Sequence, residues 1–230
     1  MQNSNRKWMS MNRVLIVVAK EPRPGRTKTR MVPPLSHEQA ADLYRCLLSD
    51  TLQVMQRVNG VQHVLAYAPP EAEPFFRRFV PPGFALIAQH GQNLGERLDH
   101  VLRAHLESGY GQVVVMNSDS PTLQPNYLQQ AFEHLDRAEV DVVLGPTEDG
   151  GYYLIGLKRP CAALFDVEMS TPTVLQETLE LARAQGLTCA CLPAWYDIDN
   201  RQDLERLRRE LAAQPHDVAP STRRLLLSRL

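Results

Sequence analysis

The 230-residue sequence holds only four cysteines, and Cys46, Cys161, Cys189 and Cys191 show no metal-ligand spacing. Cys189 and Cys191 would share one face of a strand, and buried free thiols are the expectation for the set. An excess of one charge is missing too: 25 Lys and Arg stand against 26 Asp and Glu, a net charge of −1. General nucleic-acid binders carry a basic domain or stripe, so no nucleic-acid partner is expected. No apolar run reaches the length that spans a membrane. The opening MQNSNRKWMSMNR lacks the apolar stretch of a signal peptide, which makes the cytoplasm the expected location. Internal repeats and low-complexity linkers are absent as well. Past the first strand pattern there is no G-x-G-x-x-G, only Gly25, and this excludes a dinucleotide-binding oxidoreductase.

What is present is an ordinary globular composition, 43% hydrophobic and 22% charged, with enough chain to bury a real core. It is organised around Val14 to Arg30, VLIVVAKEPRPGRTKTR. A short continuous apolar run, Val14 to Val18, reads as a strand buried on both faces. It gives way at Ala19 to a turn-rich loop in which Lys20, Arg23, Arg26, Lys28 and Arg30 face a single acid, Glu21. Cations crowded on one loop repel unless an anion sits among them, and open α/β sheets place ligands at the carboxyl ends of their strands. A phosphate-bearing substrate explains the loop, with Gly25 at its centre; a merely solvated basic loop is the plainer alternative. It is not a Walker A sequence, because Thr27 stands where the Gly before the Lys should be.

Strand and helix patterns then alternate. Ser36 and Gln39 form a capping box that opens a helix to about Arg57. Strands follow over Val61 to Tyr67, Phe84 to Ala88, Val113 to Met116, Val140 to Leu144, Gly151 to Leu157 and Leu187 to Leu192. Helices are expected from Pro69 to Phe79, from Gln92 to Gly109 with Asn93 as a cap candidate, and from Pro125 to Arg137. Two more run from a Thr171-Pro172 cap to Gly186 and from an Asn200 cap to Ala213. This alternation implies one doubly wound domain, 13–213, with a mostly parallel sheet and helices on both faces. Residues 1–12 read as a disordered leader. The tail, 214–230, ends in the basic-apolar RRLLLSRL and reads as peripheral, with a homodimer contact as one use for it.

Three further loops carry acids or glycines. In NSDSP, Asp119 follows a buried strand, where its carboxylate suits a hard divalent cation bridged to phosphates; capping a turn before Pro121 is the alternative. In WYDIDNRQDL, Asp197 and Asp199 flank Ile198 and would point to one side of an extended chain. Asp199 could equally begin the last helix, with Asp203 favouring its first turn. In GPTEDGGYYLIGL, Gly150 and Gly151 permit close backbone approach or positive φ, and Asp149 could meet a sugar hydroxyl; a tight hairpin turn explains the segment nearly as well.

Taken in order, AKEPRPGRTKTR, QNLGERL, NSDSPTL, GPTEDGGYYLIGL and DIDNRQDL resemble the DUF2064 family of the nucleotide-diphospho-sugar transferase (GT-A) superfamily, over residues 13 to about 210. The resemblance implies a GT-A, Rossmann-like three-layer sandwich and a metal-dependent glycosyltransferase. Such an enzyme would join a nucleotide-sugar donor to a small-molecule acceptor, some members being connected with arsenosugar biosynthesis. The stretch KTRMVPPLSHEQAADLYRCLLSDTL is also similar to the 2-phospholactate guanylyltransferases. That likeness implies the alternative, nucleotidyl transfer from a nucleoside triphosphate with release of pyrophosphate. By this likeness Asp119, Lys28 and Arg30 are catalytic, and Lys20, Arg23, Gly25, Lys28, Arg30, Asn93 and Arg97 hold nucleotide or phosphate. Asp149, Gly150 and Gly151 line the acceptor side, and Asp119, Asp197 and Asp199 hold Mg²⁺ or Mn²⁺. Two departures stand out: Met169-Ser170-Thr171 where a Trp-Ser/Gly-Thr is expected, and Asn117 where relatives often carry Gly.

Overall fold

Strand β1, Arg13–Lys20, shows why the chain folds as it does. Val14, Leu15, Ile16 and Val17 have no solvent exposure, and successive side chains enter opposite cores. Leu15, Val17 and Ala19 join one core, while Val14 and Ile16 join the other. Each such side chain contributes about 1.5–3 kcal/mol when fully buried, so a β-branched run covered on both sides is the natural centre of the sheet. The structure, a computed structural model, describes residues 12–228. The expected leader, apart from residue 12, lies outside them, as does the very end of the tail.

The other strands are β2 (Gln62–Ala68), β3 (Phe84–Ala88), β4 (Gln112–Met116), β5 (Val142–Pro146), β6 (Tyr152–Leu157) and β7 (Cys189–Cys191). They form one seven-stranded sheet in the order β3-β2-β1-β4-β6-β5-β7. All neighbours pair in parallel except β6, which runs antiparallel to both β4 and β5. Helices α1 (His37–Gln56), α2 (Glu73–Phe79) and α4 (Pro125–Asp136) cover one face through Leu48, Leu52, Phe76, Leu128 and Phe132. Helices α3 (Leu94–Glu107) and α5 (Val174–Ala184) cover the other through Leu98, Val101, Leu102 and Ala182. The result is the mostly parallel three-layer sandwich of the GT-A, Rossmann-like class. Among the described residues no helix is long and apolar enough to cross a membrane.

Local chemistry set several boundaries where expected. Ser36 and Gln39 complete a reciprocal capping box, and Asn93 and Asn200 each accept a first-turn N–H. Others moved. The helix expected to start at Thr171-Pro172 starts at Val174, because the Thr171 hydroxyl turns back to the Glu168 carbonyl. β7 is shorter than expected, since the Leu187 N–H bonds back to the end of α5. The thiols are free, but none is fully buried and Cys191 is exposed, against the expectation of buried cysteines. A short edge strand leaves its alternate side chains partly in solvent.

The tail also gains structure. Helices α6 (Arg201–Ala213) and α7 (Pro220–Ser228) build a third core with the first half of α1, through Leu43, Leu47, Leu204, Leu207 and Ala219. Asp50 of α1, 1% exposed, takes the N–H of Ser221 on one oxygen (3.0 Å) and of Thr222 on the other (2.7 Å). The carboxylate caps α7 from another helix and complements its positive end.

Candidate active site

At the carboxyl ends of β1 and β4 the loops part around a cleft of about 720 Å³. Its first wall is the basic loop. An Arg26 N–H to Arg23 carbonyl turn, with Gly25 at φ 72°, bends the chain after Glu21. Lys28 then takes a left-handed conformation, φ 50°, and a single 3-10 turn, Thr29–Met31, buries Met31 in the third core. This fixes the loop backbone and sends the Lys28 side chain inward, where it is only 6% exposed. Tyr44 of α1 ties this wall to the next: its hydroxyl accepts the Lys20 N–H at 3.0 Å and shares a hydrogen bond with Ser118 at 2.9 Å. Burial, then the negative charge of Asp119, pushes the Tyr44 phenol up to about 12, so it stays a neutral strut.

The second wall is acidic. Asp119 lies past β4, and its carbonyl accepts the Ile198 N–H, which draws the Asp197–Asp199 strand alongside. Lys28 Nζ stands between two of these acids, 3.0 Å from Asp119 Oδ2 and 2.7 Å from Asp199 Oδ1. Asp197 turns away to accept from Asn117 Nδ2 (2.7 Å) and Ser120 Oγ (2.9 Å). Asn200, not Asp199, caps α6, and this leaves the Asp199 carboxylate for the cleft.

The charges follow from those contacts. Burial raises the Asp119 pKa, with Lys28 opposing the rise. Burial and the neighbouring Asp119 push Asp197 up to about 7. Burial would raise Asp199 as well, but Lys28 wins and holds it below the ordinary carboxylate value. Lys28 is the converse: burial disfavours its charge, and Asp119 and Asp199 more than restore it.

The facing wall, Thr147 to Tyr152 with Met169–Pro172, carries Asp149, and Arg97 of α3 lines the cleft beside it. Asp149 Oδ1 accepts from Thr147 Oγ1 at 2.6 Å and from the Gly151 N–H, closing the hairpin between β5 and β6. The plainer turn reading thus holds for its geometry, although Asp149 and Gly151 also line the cleft. Gly150 does not line it; φ is 92°, and its α-carbon presses on Pro172 so closely that a Cβ would lie 1.9 Å from the Pro172 oxygen. That contact sets the Met169–Pro172 stretch as the cleft's outer rim.

Of the residues singled out from sequence, the cleft brings together Lys20, Lys28, Arg30, Asn93, Arg97, Asp119, Asp149, Gly151, Asp197 and Asp199. Asn93 is at the same time the cap of α3, and Arg97 braces the Gly91 carbonyl. Arg23 and Gly25 are not brought in. Arg23 is half exposed and paired with Glu21 at 2.5 Å, and Gly25 serves the turn. The sequence reading assigned no role to Arg26, Tyr44, Gln89, Asn117 and Ser118, which line the cleft, or to Ser120, which positions Asp197. Arg26 had a visible signal in its place in the basic loop, and Asn117 in standing where relatives often carry Gly.

The acids can accept a metal. Asp119 Oδ1 is buried without a hydrogen-bond partner, and a donor set of carboxylate oxygens suits Mg²⁺ or Mn²⁺. Among the described residues no three His, Cys, Asp or Glu side chains form a ready cage. That matches a cation that takes one or two carboxylates and fills its shell with substrate oxygens and water.

A cleft at the strand ends, basic on one side and acidic on the next, belongs to the nucleotide-diphospho-sugar transferase fold. A crystal structure from Desulfovibrio desulfuricans, of a protein provisionally named a nucleotide-diphospho-sugar transferase, is 33% identical, covers 94% of each chain and has a TM-score of 0.87. CMP:2-keto-3-deoxy-manno-octonic acid synthetase complexed with CTP is 14% identical over 87% of this chain and 98% of its own, with a TM-score of 0.57. A Mycobacterium tuberculosis protein in complex with manganese is 16% identical over 86% of this chain and 98% of its own, TM-score 0.53. The last two are alike in fold alone. No curated protein matches the chain. Residues 51–171 match the family described as "uncharacterized protein conserved in bacteria (DUF2064)". The chain belongs to this family, and with it to the transferases.

Proposed function

We propose that this protein is a metal-assisted glycosyltransferase that takes a nucleotide-diphospho-sugar donor and a small-molecule acceptor, with residues 13–213 as the catalytic unit and the tail as its brace. The observation that carries the reading is Lys28 held between Asp119 and Asp199 at the mouth of β1 and β4, beside an Asp119 oxygen with no partner. Lys20, Arg26 and Arg30 would hold the diphosphate, and Asp119, with Asp199 or Asp197, would hold Mg²⁺ or Mn²⁺. When bound, the metal supplies positive charge against the leaving diphosphate. The loop cations supply the same kind of stabilisation from fixed positions. The acceptor hydroxyl oxygen attacks the anomeric carbon and releases its proton to water in the open cleft, the bond to the diphosphate oxygen breaks, and the nucleoside diphosphate departs. The wall from Thr147 to Tyr152 with Met169–Pro172 would orient sugar and acceptor.

Two of the five loop cations are spoken for, Arg23 by Glu21 and Lys28 by two aspartates. Lys20, Arg26 and Arg30 line the cleft, and a diphosphate among them is in keeping with the name of the 33% identical relative. A second reading, nucleotidyl transfer, is favoured by Arg97 on the facing side. It would make a fourth cation for a triphosphate, and a protein of this fold is known with CTP. Calorimetric titration with nucleoside triphosphates and nucleotide sugars, with and without Mg²⁺, separates the two. Metal-dependent preference for a nucleotide sugar, followed by nucleoside diphosphate release with an acceptor, supports glycosyl transfer. Preference for one triphosphate and pyrophosphate release supports the second reading, and no binding of either class refutes both.

A further inference from the structure

We infer that Lys28 competes with the metal: in the ligand-free protein its ammonium holds the metal-binding carboxylates shut, and a divalent cation enters only when an anion draws that ammonium away. The inference rests on the metal role proposed above for Asp119 and Asp199.

The geometry argues for competition. A cation shared by Asp119 and Asp199 would lie where the Lys28 ammonium already lies, 3.0 and 2.7 Å from their oxygens. An ammonium and a divalent ion cannot share that space, because like charges a few ångströms apart in a half-buried site repel strongly. The remaining Asp119 oxygen is unpartnered but is a single ligand, too few for a tightly held cation. Asp197 offers no easy substitute, since Asn117 and Ser120 already hold one of its oxygens.

The same surroundings give the lysine somewhere else to go. Its backbone is pinned: the Met31 N–H bonds to the Lys28 carbonyl, and Met31 is locked in the third core. Only the side chain can move, and Lys20, Arg26 and Arg30 line the cleft it would move into. A phosphate gathered by those three offers Lys28 a new anionic partner and frees both carboxylates at once. Arg30 does not take its place on Asp199, being 3.9 Å away and largely exposed. Metal and phosphate binding are therefore positively coupled, and the coupling acts equally in both directions.

The test is titration of Mn²⁺ alone into metal-free protein, with free Mn²⁺ followed by electron paramagnetic resonance. Wild type, Lys28→Met, Lys28→Gln and the double variant Lys28→Met with Asp119→Asn are compared, each checked by thermal denaturation. Lys28→Gln keeps a hydrogen-bond donor toward the carboxylates and serves if Lys28→Met does not fold. The expected result is one Mn²⁺ bound about ten-fold or more tighter by the Lys28 variants than by wild type, and lost again with Asp119→Asn. Equal or weaker binding in a folded Lys28 variant overturns the inference. If wild type then binds Mn²⁺ through Asp119, the metal assignment survives that failure; if no protein binds Mn²⁺, both fall.

Discussion

Asp50 is buried, and Asp119 is partly exposed with one oxygen out of solvent, and the partners of those oxygens differ. Both oxygens of Asp50 accept backbone N–H groups, from Ser221 and Thr222, and the group is fully used in holding α7. Asp119 spends one oxygen on Lys28 and leaves the other buried and bare. An unsatisfied buried oxygen costs free energy that folding alone gives no reason to retain. The comparison suggests how to sort these two acids: Asp50, satisfied, serves the scaffold, and Asp119, with a bare oxygen in the cleft, is the candidate for a ligand.

The sharpest way to break that distinction is to remove each acid in turn. Asp119→Ala should lower turnover by roughly 100-fold or more while the melting temperature changes little, because relief of a desolvated charge is offset by the lost ion pair with Lys28. Undiminished turnover on the donor found by calorimetry would refute the metal site. Asp50→Ala should do the reverse. It strands two N–H groups at the start of α7 and should cost about 1–3 kcal/mol in denaturant unfolding, with kcat unchanged. A loss of activity without a loss of stability there would erase the contrast.

Gly150→Ala tests the facing wall. Its new methyl group would meet the Pro172 oxygen in a left-handed backbone, and about 1–3 kcal/mol of strain is expected. A raised KM should accompany the lost stability as the Met169–Pro172 rim shifts; an unchanged KM would remove the rim from substrate binding.

The smallest effect concerns pH. Burial and Asp119 lift Asp197 from the usual 3.8 to about 7, so the folded chain keeps a proton that the unfolded chain releases. Stability from this group is therefore present below pH 3.8 and lost as pH rises toward 7. Asp197→Asn, which keeps an acceptor for Asn117 and Ser120, should flatten that fall in urea midpoints measured in chelator. An equally steep profile would show that Asp197 is not its source.

Sequence patterns reached far where the controlling interaction is local. The β-branched run at Val14, the Ser36 and Gln39 capping box and the Asn200 cap rest on contacts within a few residues, and each gave its element a readable edge. Lys28, Asp119 and Asp199 were legible as candidates from their charged loops, each beside a plainer alternative that the local pattern could not remove. The role of Asp149 was left open for the same reason: its turn bond and its place in the cleft draw on the same few residues. Tyr44 lies inside the helix opened by Ser36, and nothing local marks its hydroxyl. Its hydroxyl acquires meaning from Ser118, 74 residues away.

The sequence by itself determined the class of fold, the basic loop and the acids that follow strands, since periodicity and charge are properties of neighbouring residues. The antiparallel insertion of β6 between β4 and β5, the docking of α7 by Asp50 and the clasp of Lys28 between Asp119 and Asp199 were decided only in three dimensions. Lys28 and Asp199 are 171 residues apart. No local preference encodes their 2.7 Å contact; it exists because Met31 and Ile198, one on each segment, are buried in the same third core beside the sheet.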